Sequence, residues 1–151
     1  MKKKINLLFV CRYNRFRSRV AEAYFKKVNK NKNISVKSVG LIKGRSLDKT
    51  QVTMASSEKF GINIEGKPQG LSSELMIWQN VTVIVADDVP PKVFDRNKEY
   101  GKKVIIWKID DSKVDGDKEE ARRIIKKIIK KFFIYFIMVF VPSYLPTPVV
   151  Y

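Results

Sequence analysis

The sequence predicts an α/β fold, a three-layer α/β/α sandwich built on a four-stranded parallel sheet. Three observations predict it. Apolar runs at residues 4–10, 33–38, 81–86 and 103–107 read as short strands. Helical stretches near 17–30, 48–60, 90–98 and 117–136 alternate with them, and such βαβ alternation implies parallel strands covered on both faces. Finally, Cys11, Ser38, Asp87 and Asp111 all fall at strand ends, where parallel sheets bind their ligands.

The elements follow in order. Ile5-Asn6-Leu7-Leu8-Phe9-Val10 is the first strand, and Val20-Ala21-Glu22-Ala23-Tyr24-Phe25 carries a helical pattern directly after a short loop. Ile34-Ser35-Val36-Lys37 is a second strand and Val81-Thr82-Val83-Ile84-Val85-Ala86 a third, while Ile105-Ile106-Trp107 belongs to the fourth. Gly66-Lys67-Pro68-Gln69-Gly70 reads as a surface loop. Ile124-Ile125-Lys126-Lys127-Ile128-Ile129-Lys130-Lys131 alternates apolar and basic pairs at a helical period, so its isoleucines pack on the sheet. At 151 residues the chain suits one domain, residues 1–131, followed by an apolar extension, residues 132–151.

The loop after the first strand carries the chemistry. Cys11, the single cysteine, stands where strand turns into helix. The N–H groups that open a helix are unpaired and lie at the positive end of its dipole, which makes them an anion site. A helix N-terminus with arginines around it is also the setting in which cysteines become reactive, and Arg12, Arg15 and Arg17 supply that charge. The five residues between Cys11 and Arg17 let the loop curl round a tetrahedral oxyanion, with the guanidinium returning to bind two oxygens. Taken alone, Cys11 reads as an inert core residue, as free cysteines usually are. Asn14, which can hold a left-handed turn, together with Arg17 and the Ser18 hydroxyl at fixed offsets, shifts the reading to a nucleophile.

Cys11-x-x-Asn14-x-x-Arg17-Ser18 resembles the phosphate-binding loop of the low-molecular-weight protein tyrosine phosphatases. The resemblance continues in order over about residues 4 to 131. Ser38-Val39-Gly40 is similar to the segment whose serine braces the loop asparagine, and Gly44-Arg45-Ser46-Leu47-Asp48 and Phe60-Gly61-Ile62 are similar to the stretch that follows. The third strand ends in Asp87, as in the family, near the loop arginine. Ile105-Ile106-Trp107-Lys108-Ile109-Asp110-Asp111 resembles the strand that delivers the general acid.

The resemblance implies a flavodoxin-like strand order 2-1-3-4 and a phosphatase working without metal or other cofactor through a cysteinyl-phosphate. Cys11, Arg17 and Asp111 are then the catalytic residues. Arg12, Tyr13, Asn14, Arg15, Phe16 and Ser18 form the substrate-binding loop, supported by Ser38 and Asp87. Spacing from Trp107 favours Asp111 over Asp110 as the acid, although neither is followed by the family's proline. Phe16 replaces the second loop cysteine of many members, so a protective disulfide cannot form. Substrates are phosphorylated proteins or small phosphomonoesters. Two alternatives stand beside this reading: a phosphate- or phosphoprotein-binding module with little turnover, and an arsenate reductase, whose thioredoxin-coupled kind needs further cysteines.

A net charge of +16 without histidine would suit nucleic acid or an anionic membrane. The lysines are spread along the chain without interleaved aromatics, which argues for solvated faces rather than a base-stacking surface. One cysteine fits a reducing cytoplasm, and no signal peptide precedes the first strand. Phe132 through Val141 is wholly apolar, too short to span a bilayer. Extension of the last helix into the core is the favoured reading, ahead of an oligomer interface and contact with a membrane surface. Because residues 132–151 carry no charge, an error of reading frame is also conceivable.

Overall fold

The computed structural model describes residues 3–140. Four parallel strands, β1 (Ile5–Cys11), β2 (Ile34–Gly40), β3 (Val81–Val85) and β4 (Lys103–Trp107), form one sheet in the order β2-β1-β3-β4, as expected. The helices are α1 (Arg17–Val28), α2 (Lys49–Ser56), α3 (Ser73–Trp78) and α4 (Lys118–Phe140), with a 3₁₀ segment at Pro91–Tyr100.

Both faces of the sheet are covered because the central strands β1 and β3 are mostly apolar on both sides, whereas the edge strand β2 exposes Ser35 and Lys37. Phe9, Val83, Val85 and Trp107 point to one core with α1, α2 and α4. Leu8, Val10 and Ile84 point to the other, beneath α3 and the 3₁₀ segment. Phe132 on α4 joins the first core as an aromatic hub, with ring centroids 4.9 Å from Trp107, 5.2 Å from Tyr24 and 5.6 Å from Phe9. Phe133 and Ile134, next along α4, are exposed. Residues 141–151, the remainder of the apolar extension, lie outside the described residues. Among the described residues no helix is long and apolar enough to cross a membrane.

Three local differences from expectation have physical causes. The helix after Asp48 stops at Ser56, because Ser57 turns extended and Gly61 takes a left-handed φ of 60°. The stretch at 90–98 is a 3₁₀ segment that opens on Pro90-Pro91 and is kinked at Phe94, whose φ of −110° and ψ of 19° interrupt the helical run. The short α3, six residues capped by Ser72 Oγ accepting from the Leu75 N–H, is unforeseen because its pattern is too brief to show a period. The supposed surface loop at 66–70 is also more than that. Gln69 O accepts from the Gly40 N–H and Gly40 O accepts from the Leu71 N–H, which pins the segment to the end of β2.

Truncating the hub should be felt globally. Phe132→Ala is expected to lower unfolding free energy by about 3–5 kcal/mol, the usual cost of a buried phenylalanine, read from denaturant midpoints by circular dichroism.

Candidate active site

The loop from Cys11 to Ser18 is shaped from two sides. Its backbone carbonyls at Cys11, Arg12 and Tyr13 accept hydrogen bonds from the N–H groups of Leu41, Ile42 and Gly44 at 2.8–3.0 Å. With its carbonyls held outward, the loop keeps its inner side for N–H groups, which is the polarity an anion requires. Gly40 permits this approach. A Cβ there would stand 2.4 Å from Ile42 O and 2.6 Å from the Tyr13 carbonyl carbon. Asn14 takes the left-handed conformation, φ 55°, that the sequence suggested.

Asn14 is fully buried and every polar atom of its amide is used. Nδ2 donates to Ser18 Oγ at 2.8 Å and to Ser38 Oγ at 3.0 Å. Oδ1 accepts from the Gln69 N–H at 2.9 Å and from Arg19 Nη1 at 3.3 Å. Since each serine oxygen accepts from Asn14, its own hydroxyl hydrogen points elsewhere. Ser38 Oγ donates to Glu22 Oε1 at 3.0 Å, and Ser18 Oγ lies within hydrogen-bond distance of Cys11 Sγ, 3.0 Å away; toward a thiolate the hydroxyl is the donor. Ser38 thus braces Asn14 as anticipated, and one hydroxyl is aimed at the sulfur.

Arg17 lies beneath the loop, 2 % exposed. Its Nη1 donates to Ile109 O and its Nη2 to Asp88 Oδ1, both at 2.9 Å. Asp87 Oδ1 is 3.6 Å from Nη1 and Asp111 Oδ2 is 3.5 Å from Nη2. The sequence singled out Asp87, but Asp88 is the carboxylate that hydrogen-bonds the guanidinium. Ile109 O also accepts from the Asp87 N–H, so one carbonyl ties the ends of β3 and β4 to the arginine.

A small cavity of about 40 Å³ is lined by Cys11, Tyr13, Phe16 and Arg17, with Gln51, Asp111 and Asp115 opposite. The predicted loop residues divide by position. Tyr13 and Arg15 reach this cavity, and Arg15 Nε is anchored to Ser46 O at 2.9 Å. Arg12 is exposed instead, with its Nε donating to Tyr13 Oη at 3.1 Å. Asn14 and Ser18 are buried braces, and the Phe16 ring belongs to the hydrophobic core although the residue borders the cavity.

The two candidate acids separate completely. Asp111 faces Cys11 and Arg17, whereas Asp110 turns to α4 and accepts from Arg123 Nη1 and Nη2 at 3.0 and 2.7 Å and from Lys127 Nζ at 2.9 Å. Those hydrogen bonds, Arg123 first, hold the Asp110 carboxyl well below the usual carboxylate range.

Arg19, Asp88 and Gln51 are site residues that sequence reading missed. Arg19 fills the space beside Asn14, where Gly66 leaves room: a Cβ on Gly66 would lie 2.6 Å from Arg19 Nη2. It also donates to the carbonyls of Ile64, Glu65 and Lys67. Burial lowers the Arg19 pKa and nearby Glu22 opposes the shift.

A nucleophile-bearing anion loop at the carboxyl edge of a parallel sheet, with a buried arginine and a facing carboxyl, defines a phosphate-handling α/β protein. The family model described as low molecular weight phosphotyrosine protein phosphatase matches residues 6–132, and the chain belongs to that family. No curated protein sequence matches it. Among solved structures, an arsenate reductase in the phosphate-binding state is similar at 20 % identity, over 89 % of this chain and 98 % of that one, with a TM-score of 0.71. Vibrio vulnificus Wzb in complex with benzylphosphonate is similar at 18 % identity, over 87 % and 96 %, with a TM-score of 0.70. The thioredoxin-dependent arsenate reductase of Corynebacterium glutamicum is similar at 19 % identity with a TM-score of 0.59; the match covers 87 % of this chain but only 62 % of that one.

The Asp110 ion pairs set a pH dependence of stability. A carboxylate whose folded pKa is depressed stabilises above its unfolded value, near 3.9, and loses that contribution as pH falls through the folded value. Asp110→Asn should therefore be less stable than the native chain at pH 7, with the difference shrinking below about pH 4. Thermal melts across pH 2–7 check this; a difference that is flat or grows toward acid contradicts it.

Proposed function

We propose that the chain is a cysteine-dependent phosphomonoesterase in which Cys11 is the nucleophile, Arg17 the phosphate clamp and Asp111 the general acid. The observation that carries it is the convergence of the Cys11 sulfur, the buried Arg17 guanidinium and Asp111 on one small cavity. In the first step Cys11 Sγ attacks phosphorus, the P–O bond of the leaving group breaks, and Asp111 gives the leaving oxygen a proton. Water then attacks the cysteinyl-phosphate and yields a proton to the same carboxylate.

Each part of the site has a physical task in this scheme. Inward N–H groups and Arg17 stabilise the equatorial oxygens, since phosphoryl transfer depends mainly on positioning and electrostatics. The Ser18 hydroxyl, donating to sulfur, stabilises the thiolate both before attack and as the leaving group of the second step. The substrate class is a phosphorylated protein or small phosphomonoester. Tyr13, at the cavity rim, offers a ring wall, and the anchored Arg15 adds positive charge toward an acidic substrate.

Hydrolysis of para-nitrophenyl phosphate without added metal, at mildly acidic pH, tests the reading. Cys11→Ser should abolish turnover, vanadate should inhibit competitively, and Asp111→Asn should lower kcat by about 10²–10⁴-fold with phosphate binding retained. Asp110→Asn should leave kcat within about twofold of native, given its place away from the cavity. No turnover by the native chain, with vanadate or phosphate still bound, would instead make the loop an anion receptor.

A further inference from the structure

One polar group of the cavity has no task in that scheme and, unlike Ser112 and Asp115, no partner among the described residues for its buried oxygen. Gln51 stands in the first turn of α2, is 5 % exposed, and lines the cavity with Cys11, Arg17 and Asp111. Its Oε1 is buried and has no hydrogen-bond partner. Other polar residues of the same cavity are satisfied within the protein. Arg15 donates to Ser46 O and Arg17 to Asp88, Asp111 Oδ1 accepts from the Ser112 N–H, and Ser112 Oγ donates to Val114 O. An unpaired buried amide oxygen is costly, so its persistence beside a nucleophile points to a partner that arrives with the reaction.

Gln51 is not free to turn away. Asp48 Oδ1 accepts from the Thr50 N–H at 2.9 Å and caps α2, while Asp48 Oδ2 accepts from the Gly116 N–H at 2.7 Å. One carboxylate therefore fastens the first turn of α2 to the segment that follows Asp111. On the same helix Met54 and Ala55 are buried in the core, which fixes its rotation about its own axis.

The missing partner must bring a hydrogen, because a carbonyl oxygen only accepts. In the first half of the reaction the atom between phosphorus and Asp111 is the ester oxygen of the leaving group, which carries none. In the second half it is a water, which carries two. We propose that Gln51 orients the water that hydrolyses the cysteinyl-phosphate, accepting one of its hydrogens at Oε1 while Asp111 takes the other as a proton. This rests on the phosphatase reading above. A lone pair of the water oxygen forms the new O–P bond as the S–P bond breaks, the bonding pair returns to Cys11 Sγ as thiolate, and inorganic phosphate leaves. Gln51 neither gains nor loses a proton. An amide suits the position because it does not compete with Asp111 for the proton and adds no negative charge facing the phosphoryl group.

Rapid mixing with para-nitrophenyl phosphate, with acid quench to trap the phosphoenzyme, tests the assignment on the native chain, Gln51→Ala and Gln51→Met. Methionine keeps the side chain's length and burial and so preserves the fold if alanine does not. Both variants should form phosphoenzyme at the native rate but hydrolyse it about tenfold more slowly, the effect of one lost hydrogen bond. The readout is a burst of nitrophenolate ahead of a reduced steady state, with phosphoenzyme the main species during turnover. Equal slowing of both steps would make Gln51 merely structural, and an unchanged hydrolysis step would leave it without a role; either result overturns the proposal. If the native chain itself forms no Cys11-dependent phosphoenzyme, the phosphatase reading fails and carries this one with it, a result visible before any Gln51 variant is made.

Discussion

The site depends on the buried amide of Asn14. Its two donors and its oxygen join four segments that the chain supplies separately: the nucleophile loop, the end of β2, the strap at 67–69 and the first turns of α1. No hydrophobic contact could do this, because burial is indifferent to direction while an amide has fixed donor and acceptor edges. The direction matters chemically. Asn14 donates to both serines, whose other partners are Cys11 Sγ for Ser18 and Glu22 Oε1 for Ser38. Toward a thiolate the Ser18 hydroxyl is the donor, a positioned dipole that needs no reorganisation as charge moves onto the sulfur. A network in low dielectric has to be complete, since any broken member leaves a buried polar group unpaired. Arg19 completes this one, and Gly66 makes room for it.

The second constraint is the placement of a permanent cation under an anion loop. Arg17 is almost entirely buried, and its guanidinium donates to Ile109 O and Asp88 with the Asp87 and Asp111 carboxylates slightly farther off. The cost of burying the charge is offset by these contacts rather than by water. Asp111 also approaches it, at 3.5 Å, so the guanidinium draws this carboxylate toward the cavity. Asp110, one residue earlier, is taken out of the chemistry by Arg123 and Lys127, which use it to dock α4 beside β4. Adjacent carboxylates in the sequence therefore serve different ends, one the cavity and the other the packing of a helix.

The fold and the loop were legible because their signals are local. Apolar runs, the helical period of α4 and the spacing from Cys11 to Ser18 are all read within a few residues, whereas the Asn14–Ser38 contact was implied only by the family resemblance of Ser38-Val39-Gly40. What stayed hidden depends on three-dimensional placement. Arg19 reads as one more solvated arginine in a chain of charge +16, and nothing local says that it lies over Gly66. Asp87 and Asp88 are adjacent, and only the geometry past β3 decides which of them reaches Arg17. Gln51 sits in an eight-residue helix with no strong apolar stripe, so the side that faces the site cannot be told from the side that faces water. The strap at 66–70 looked like a loop because its hydrogen bonds are made to partners distant in sequence, Gly40 and Asn14.

The strand order also has a consequence for the making of the protein. Cys11 lies on the first strand and Asp111 past the last, and Arg17 donates one of its hydrogen bonds to the carbonyl of Ile109. Chains emerge from the ribosome N-terminus first. The nucleophile is therefore among the first functional groups to leave the tunnel and the acid among the last, and until β4 pairs with β3 the arginine lacks its floor. A chain released short of β4 therefore has Cys11 and Arg17 but lacks both the Ile109 carbonyl and the Asp111 carboxylate that meet them in the finished fold.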